Sequence, residues 1–247
     1  MVAQVKVTGM VLATMPIGDY DKRLVILTRD RGKITAFAKG ARRQNSALLA
    51  CCQPFSFGEY TLYEGRNSYN VISADISNFF IELREDFEGI TFGFYFLELA
   101  EYITTENTDE SNILKLLYQT LRALIKKTIS FELIRYIYEL KILTLNGEAP
   151  QVFECVQCNN TEDYYYFRTE NGGLLCSECV KKYNDSIKVS GGTIYTMQYI
   201  ITSSIEKLYT FTVKEGVLNE LRHCMKQYRK FYLDKEFKSL EMLKWID

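Results

Sequence analysis

Cys155-Val156-Gln157-Cys158 and, 17 residues further on, Cys176-Ser177-Glu178-Cys179 are the stretch from which the fold reads outward. Two Cys-x2-Cys turns separated by about 15–20 residues are the spacing of a closed zinc site. Each turn aims two sulfurs at one point, and zinc accepts four thiolates at tetrahedral corners. With sulfur at every corner, no position remains for water or substrate. The spacing therefore predicts a structural Zn2+ held by Cys155, Cys158, Cys176 and Cys179, with the function carried elsewhere. A zinc deaminase would need three protein ligands, an open position and an H-x-E acid/base. The single histidine, His223, is remote from the cluster in sequence.

Between the two turns, Tyr164-Tyr165-Tyr166-Phe167 and Leu174-Leu175 flank Asn171-Gly172-Gly173. This reads as a β-hairpin with a glycine turn. So small a hairpin cannot bury enough apolar surface alone, and metal supplies the missing stability. Upstream, Phe131–Leu145 is apolar on nearly every face, which suits the middle of a helical bundle. Asn146-Gly147 and Pro150 end that helix. Phe87, Ile90, Phe94, Leu97 and Tyr102 recur at helical spacing, as do Ile113, Leu117, Leu121, Leu124 and Ile125. Asp109 or Ser111 suits the cap of the second set. After Ser190-Gly191-Gly192, helices are expected over Thr193–Leu208, Glu215–Tyr232 and Lys235–Trp245.

Residues 1–80 have a different character. β-branched and aromatic runs occur at Val5–Thr14, Arg23–Thr28, Lys33–Lys39, Phe55–Glu64 and Tyr69–Ile76. Turn signals separate them at Pro16-Ile17-Gly18-Asp19, Asp30-Arg31-Gly32 and Glu64-Gly65-Arg66-Asn67. Five short strands fit a five-stranded OB-type barrel, and an SH3-like barrel nearly as well. The expected architecture is α+β and multi-domain. Residues 1–80 form the OB-type β-barrel; residues 81–247 form a helical bundle with a four-cysteine zinc finger inserted at about 151–185.

The chain has 247 residues, of which 47% are hydrophobic and 25% charged, so a sizeable core is expected. A net charge of −1 announces no partner. Cys51, Cys52 and Cys224 fall outside the metal pattern, and an odd cysteine total argues against a secreted disulfide framework. No secretory pattern opens the sequence, and no stretch approaches ~20 uninterrupted apolar residues. These features predict a soluble cytoplasmic protein with reduced thiols.

Charge is nevertheless uneven. Residues 1–43 carry Lys6, Lys22, Arg23, Arg29, Arg31, Lys33, Lys39, Arg42 and Arg43 against only Asp19, Asp21 and Asp30. The run Lys39-Gly40-Ala41-Arg42-Arg43-Gln44-Asn45-Ser46 follows a strand and offers many donors to phosphate. On an OB barrel, a fold used for oligonucleotide binding, this favours a nucleic-acid site over a merely solvated loop. Phe37, Phe55, Phe57, Tyr60, Tyr63 and Tyr69 could stack on bases, but most must fill the barrel. Arg222, Lys226, Arg229, Lys230, Lys235 and Lys238 read as a solvated helix face, and His223 as structural or surface. Asp19 and Asp21 sit in a turn, where Asp bonds locally. No catalytic constellation or phosphate-binding G-x-x-x-x-G-K-[ST] loop is present, so no enzyme and no small-molecule substrate are expected. A zinc-braced OB-fold adaptor that binds protein rather than DNA is the alternative reading.

Several ordered segments resemble the bacterial RecO family of recombination mediators. They are Gly18-Asp19-Tyr20-Asp21-Lys22-Arg23-Leu24-Val25, Gly32-Lys33, Lys39-Gly40-Ala41-Arg42-Arg43, Ser46 and Gln53-Pro54-Phe55. Phe131-Glu132-Leu133, Leu145-Asn146-Gly147-Glu148-Ala149-Pro150, the first cysteine pair and Phe237-Lys238-Ser239-Leu240 continue the series. The resemblance implies an N-terminal OB domain, a helical domain with a zinc finger, and a non-enzymatic role in recombinational DNA repair in the bacterial cytoplasm, associated with the nucleoid. It implies binding of single- and double-stranded DNA and annealing of complementary strands. With RecR, it implies loading of RecA onto DNA coated by single-strand-binding protein (SSB), whose acidic C-terminal tail is a further partner. Arg42 and Arg43 are expected on phosphate, supported by Arg23, Lys33 and Lys39. Two departures stand out: Gln44-Asn45 replaces the family's usual Pro-Lys, and Cys51-Cys52 replaces a polar or small pair.

Overall fold

A computed structural model describes residues 4–66 and 68–243. Asn67, expected in a turn, and Trp245, expected in the last helix, lie outside the described residues.

Strands β1 (Gln4–Ile17), β2 (Asp21–Thr28), β3 (Lys33–Ala38), β4 (Phe57–Glu64) and β5 (Tyr69–Asn78) close in the order β1-β2-β3-β5-β4. Neighbours are antiparallel except β3 and β5, which meet in parallel through only Ala36–Tyr69 and Phe37–Asn70. The result is the OB-type ring, with one narrow seam. Alternation sets its interior: Leu24 and Ile26 of β2 and Ile34, Ala36 and Ala38 of β3 are buried, while Arg23 and Phe37 lie on the other face. The short helix α1 (Leu48–Cys51) and the residue after it bring Cys51 and Cys52 into this core. There they act as small apolar fillers. The buried Tyr60 hydroxyl reaches the carbonyls of Cys51 and Ser56, each at 3.1 Å.

Helices α2 (Ile81–Arg84), α3 (Phe87–Ile103), α4 (Ser111–Lys126) and α8 (Lys238–Leu243) belong with the barrel to one compact unit. Asp86 caps α3 by accepting the Gly89 N–H at 3.0 Å, and the Asp109 carboxylate accepts the Ser111 N–H at 3.0 Å where α4 begins. The expected apolar stripe of α3 needs correction. Phe87, Phe94 and Tyr102 are 69%, 42% and 38% exposed, whereas Phe92, Tyr95, Phe96, Leu99 and Ala100 are buried with Leu97. Aromatic residues surround this helix, so spacing alone marks out several stripes. The stripe that is buried is the one that meets neighbours: Tyr95 packs edge-on against Phe237, with ring centroids 5.6 Å apart. Helix α8 starts at Lys238 rather than at Lys235.

The second compact unit spans Lys126–Glu236. Its central helix α5 (Phe131–Leu145) has the expected bounds, capped by Ser130 on the Leu133 N–H. It packs with α6 (Gly191–Thr202) and α7 (Glu215–Tyr232). Two charged residues of α5 are buried with its apolar ones. Glu139 lies 2.9 Å from Arg135 and 3.7 Å from Arg229. Lys141 Nζ donates to the carbonyls of Ile200, Ile201 and Ser203 at 3.1, 2.7 and 2.8 Å. Those carbonyls are the ones a helix end leaves open, so Lys141 caps α6. The expected helix Thr193–Leu208 accordingly stops at Thr202, where Ser203 turns extended, and Ile205–Lys207 form a separate 3-10 turn. At the other end, Ser190 is the cap, and Gly191-Gly192 already belong to the helix.

Between α5 and α6 lies a three-stranded sheet in the order β7-β6-β8, built from β6 (Tyr166–Arg168), β7 (Gly173–Leu175) and β8 (Ile187–Lys188). The expected hairpin is β6–β7, and β8 adds a strand beyond it. A Cβ on Gly173 would come within 2.2 Å of the Gln151 carbonyl oxygen, so only glycine permits that close approach.

Candidate metal centre and nucleic-acid interface

The two Cys-x2-Cys turns converge as their spacing requires. The Sγ atoms of Cys155, Cys158, Cys176 and Cys179 all lie within 4.8 Å of one another. A tetrahedral Zn–S distance of 2.3 Å asks for sulfurs about 3.8 Å apart. Cys158 and Cys176 already stand at 3.6 Å. Backbone geometry builds each turn: Asn159, in the left-handed region, donates its N–H to the Cys155 carbonyl at 2.9 Å, and Cys179 donates its N–H to Cys176 Sγ at 3.4 Å. Burial raises the pKa of Cys155, but N–H groups of Gln157, Cys176 and Cys158 outweigh it and bring the thiol down to about 6. Three of the four cysteines are buried and Cys158 is exposed. The residues fit a cation that prefers thiolate, and four sulfur ligands complete its coordination.

The basic segment of the barrel is organised by one long-range join. Ile17 ends β1 and Asp21 begins β2, so Gly18, Asp19 and Tyr20 form the turn between them. The loop after β3 doubles back onto this turn. Gly40 sits at φ +67, where a side chain is strained, and gives its N–H to the Asp21 carboxylate at 2.7 Å. Arg42 gives its N–H to the Tyr20 carbonyl at 2.8 Å, and its guanidinium donates to the Gly18 carbonyl at 3.1 Å. The Arg43 guanidinium lies over the Tyr20 ring, 5.1 Å from its centroid.

Of the five residues expected on DNA, four belong to this region. Lys39, Arg42 and Arg43 are exposed in the loop, and Arg23 is exposed on β2 opposite Phe37. Among the described residues, none of these four is paired with a carboxylate. Lys33 stands apart. It begins β3, six residues and thus ~20 Å before Lys39, and its Nζ donates to the Glu101 carbonyl at 2.5 Å. Other basic residues of the segment are engaged: Lys6 with Glu59 at 2.8 Å, Arg29 with Asp30 at 3.1 Å, and Arg31 with Glu64 at 3.0 Å. Sequence reading missed the roles of Asp21 and Tyr20. Asp21 bonds a distant loop rather than its own turn, and Tyr20 is 53% exposed beside two arginines. No spacing or charge pattern marks these two segments as touching.

The remaining candidates are structural or surface groups. Phe55 and Tyr60 are buried, and Phe57 packs on Tyr118 at 4.7 Å. Arg222 in α7 forms a two-pronged pair with Glu132, at 2.5 and 2.7 Å. With Arg229 drawn to Glu139, that helix keeps Lys226 and Lys230 as exposed cations. His223 is exposed, its Nδ1 2.7 Å from the Asn219 carbonyl. No helix among the described residues is long and apolar enough to cross a membrane.

Comparison with known proteins agrees with the geometry at both ends of the chain. Residues 1–80 match the family model described as Recombination protein O N terminal, and residues 84–241 match Recombination protein O C terminal. The chain is 36% identical over 244 residues to the DNA repair protein RecO of Alkaliphilus metalliredigens, covering 98% of this chain and 99% of that one. It is 33% identical over 243 residues to the RecO protein of Acetivibrio thermocellus, covering 98% and 97%. With Caldicellulosiruptor bescii RecO the identity is 30% over 243 residues, covering 98% of each. An OB-type ring, a four-cysteine cluster among helices and full-length similarity thus converge, and the chain belongs to the RecO family of DNA repair and recombination proteins.

Proposed function

We propose that this protein is a non-enzymatic, DNA-binding recombination mediator. Residues 1–80 are its DNA-binding domain, and residues 81–247 are the helical domain with the zinc finger. The observation that carries the reading is the loop Lys39–Ser46. Arg42 is held by the Tyr20 and Gly18 carbonyls, Arg43 lies over the Tyr20 ring, and Lys39 is exposed beside Gly40; among the described residues none of the three forms an ion pair with a carboxylate. Such a loop neutralises phosphate, and Arg23 extends the same field along β2. Lys33 contributes at longer range.

Annealing then needs no nucleotide hydrolysis. Two single strands held against positive surfaces repel each other less, and base pairing completes the duplex. Binding to double-stranded DNA follows from the same phosphate contacts. In the cell, in the bacterial cytoplasm and on the nucleoid, the protein acts with RecR to load RecA onto SSB-coated single strands, and the acidic tail of SSB is a further ligand. The metal is Zn2+, held by Cys155, Cys158, Cys176 and Cys179. It supplies folding stability to the small sheet and leaves no site for substrate.

Binding of single-stranded oligonucleotide across a salt series tests the proposal, with the double variant Arg42→Ala/Arg43→Ala beside the wild type. Weaker binding and a shallower salt slope support it; a wild-type chain without affinity for single strands refutes it.

A further inference from the structure

We infer that Tyr20 is a stacking station for one unpaired nucleobase, and that it biases the basic loop toward single strands. The inference rests on the reading of that loop as a DNA site. Four observations place it. Tyr20 is at the tip of the β1–β2 turn and is 53% exposed, although tyrosine is a residue that folding tends to cover. Its backbone is fixed by the Arg42 N–H at 2.8 Å, so the ring stands on a rigid base. The Arg43 guanidinium already lies over the ring at 5.1 Å. The Arg42 guanidinium reaches the Gly18 carbonyl, two residues before Tyr20, and Lys39 is exposed on the loop that carries Arg42 and Arg43.

These features have separate chemical consequences. An exposed ring that packs into no core offers a π-face to a base, which is how sequence-tolerant binding of single strands is achieved. Arg43 polarises the ring and covers part of it, and a guanidinium plane is itself a surface on which bases stack. A duplex keeps its bases stacked on one another and presents phosphates instead. The arginines and Lys39 therefore serve both forms of DNA, and the ring serves only the unpaired one. Tyr63 provides an internal comparison. It is 46% exposed on β4, paired across the sheet with Gln4 and Asn70, and belongs to neither the turn nor the basic loop.

The test compares the full-length wild type, Tyr20→Ala, Tyr20→Phe and Tyr63→Ala. Each is titrated with a single-stranded oligothymidine, the same strand with abasic sites, and a duplex of equal length. Stacking on one base implies that Tyr20→Ala weakens binding to the intact strand roughly 5- to 150-fold. Its salt slope stays at the wild-type value, because no phosphate contact is lost. Duplex affinity changes less than about twofold, Tyr20→Phe and Tyr63→Ala bind as wild type, and Tyr20→Ala no longer distinguishes the abasic strand as sharply. Equal losses on single strand and duplex would overturn the inference, making Tyr20 a support for Arg43. So would unchanged binding by Tyr20→Ala while the wild type binds well. Failure of the wild type to bind single strands would instead remove the loop reading on which this rests.

Discussion

The Asp21 carboxylate accepts the Gly40 N–H at 2.7 Å, joining the first residue of β2 to the loop that follows β3. Across 19 positions of sequence, a negative side chain holds a positive loop by its backbone, and Lys39, Arg42 and Arg43 of that loop stay exposed. This gives a test with opposite signs. If only net charge mattered, Asp21→Ala would strengthen DNA binding by removing a carboxylate near phosphate. If positioning dominates, as here, Asp21→Ala weakens single-strand binding by several-fold. Asp21→Asn keeps a carbonyl acceptor for Gly40 while losing the charge, and binds at least as well as wild type. Electrophoretic or fluorescence titration of the three proteins checks the order.

The metal cluster predicts a local loss. Cys176→Ser leaves three thiolates, lowers metal content below one per chain, and exposes amides of residues 150–185 to rapid hydrogen exchange. Barrel amides keep their protection, and DNA binding by the loop persists. Because thiolates must be deprotonated to hold metal, acid releases it, and the same amides lose protection as pH falls. Metal analysis alongside hydrogen exchange reads both effects.

Glu132 and Arg222 give a pH-dependent contribution. Hydrogen bonding from Arg222 holds the Glu132 carboxyl below its ordinary value of 4.5, against the opposing push of burial. A carboxyl with a lowered folded pKa stabilises the protein above its unfolded value and loses that contribution as pH falls through the folded one. Both side chains are partly exposed, so Glu132→Gln costs only ~0.5–1 kcal/mol at neutral pH. Urea unfolding shows that difference beginning to shrink as pH falls below the ordinary value and vanishing below the lowered, folded one.

Lys141 carries a larger effect. Its buried ammonium serves three carbonyls, and Lys141→Met leaves them without a donor. A loss of about 2–3 kcal/mol is expected, from the worth of hydrogen bonds to a charged group. Denaturant midpoints at constant m-value measure it, and a change under 0.5 kcal/mol, the scale of an ordinary surface substitution, would contradict the capping role.

These particulars mark where the sequence was legible. The cysteine turns, the five strand runs and the bounds of α5 were all readable, because each depends on spacing within a few residues. The stripe of α3 was not, because Phe87, Phe94 and Tyr102 are as apolar as the residues that became buried. The end of α6 was hidden too: the donor that completes it, Lys141, lies about 60 positions upstream. At the candidate interface the loop cations could be named from charge, but Tyr20 and Asp21 acquire meaning only from the chain doubling back. Lys33 shows the converse. It shares the charge of the loop cations, yet strand rise carries it to the other end of β3.

The central claim is that exposed cations of the Lys39–Ser46 loop neutralise DNA phosphate. The most direct measurement is the slope of log affinity against log salt for single-stranded DNA, for the wild type and for Arg42→Ala/Arg43→Ala. Loss of two phosphate contacts reduces that slope by about 1.4, at roughly 0.7 per contact on a single strand, with weaker binding at low salt. An identical slope and affinity for the two proteins would contradict the account.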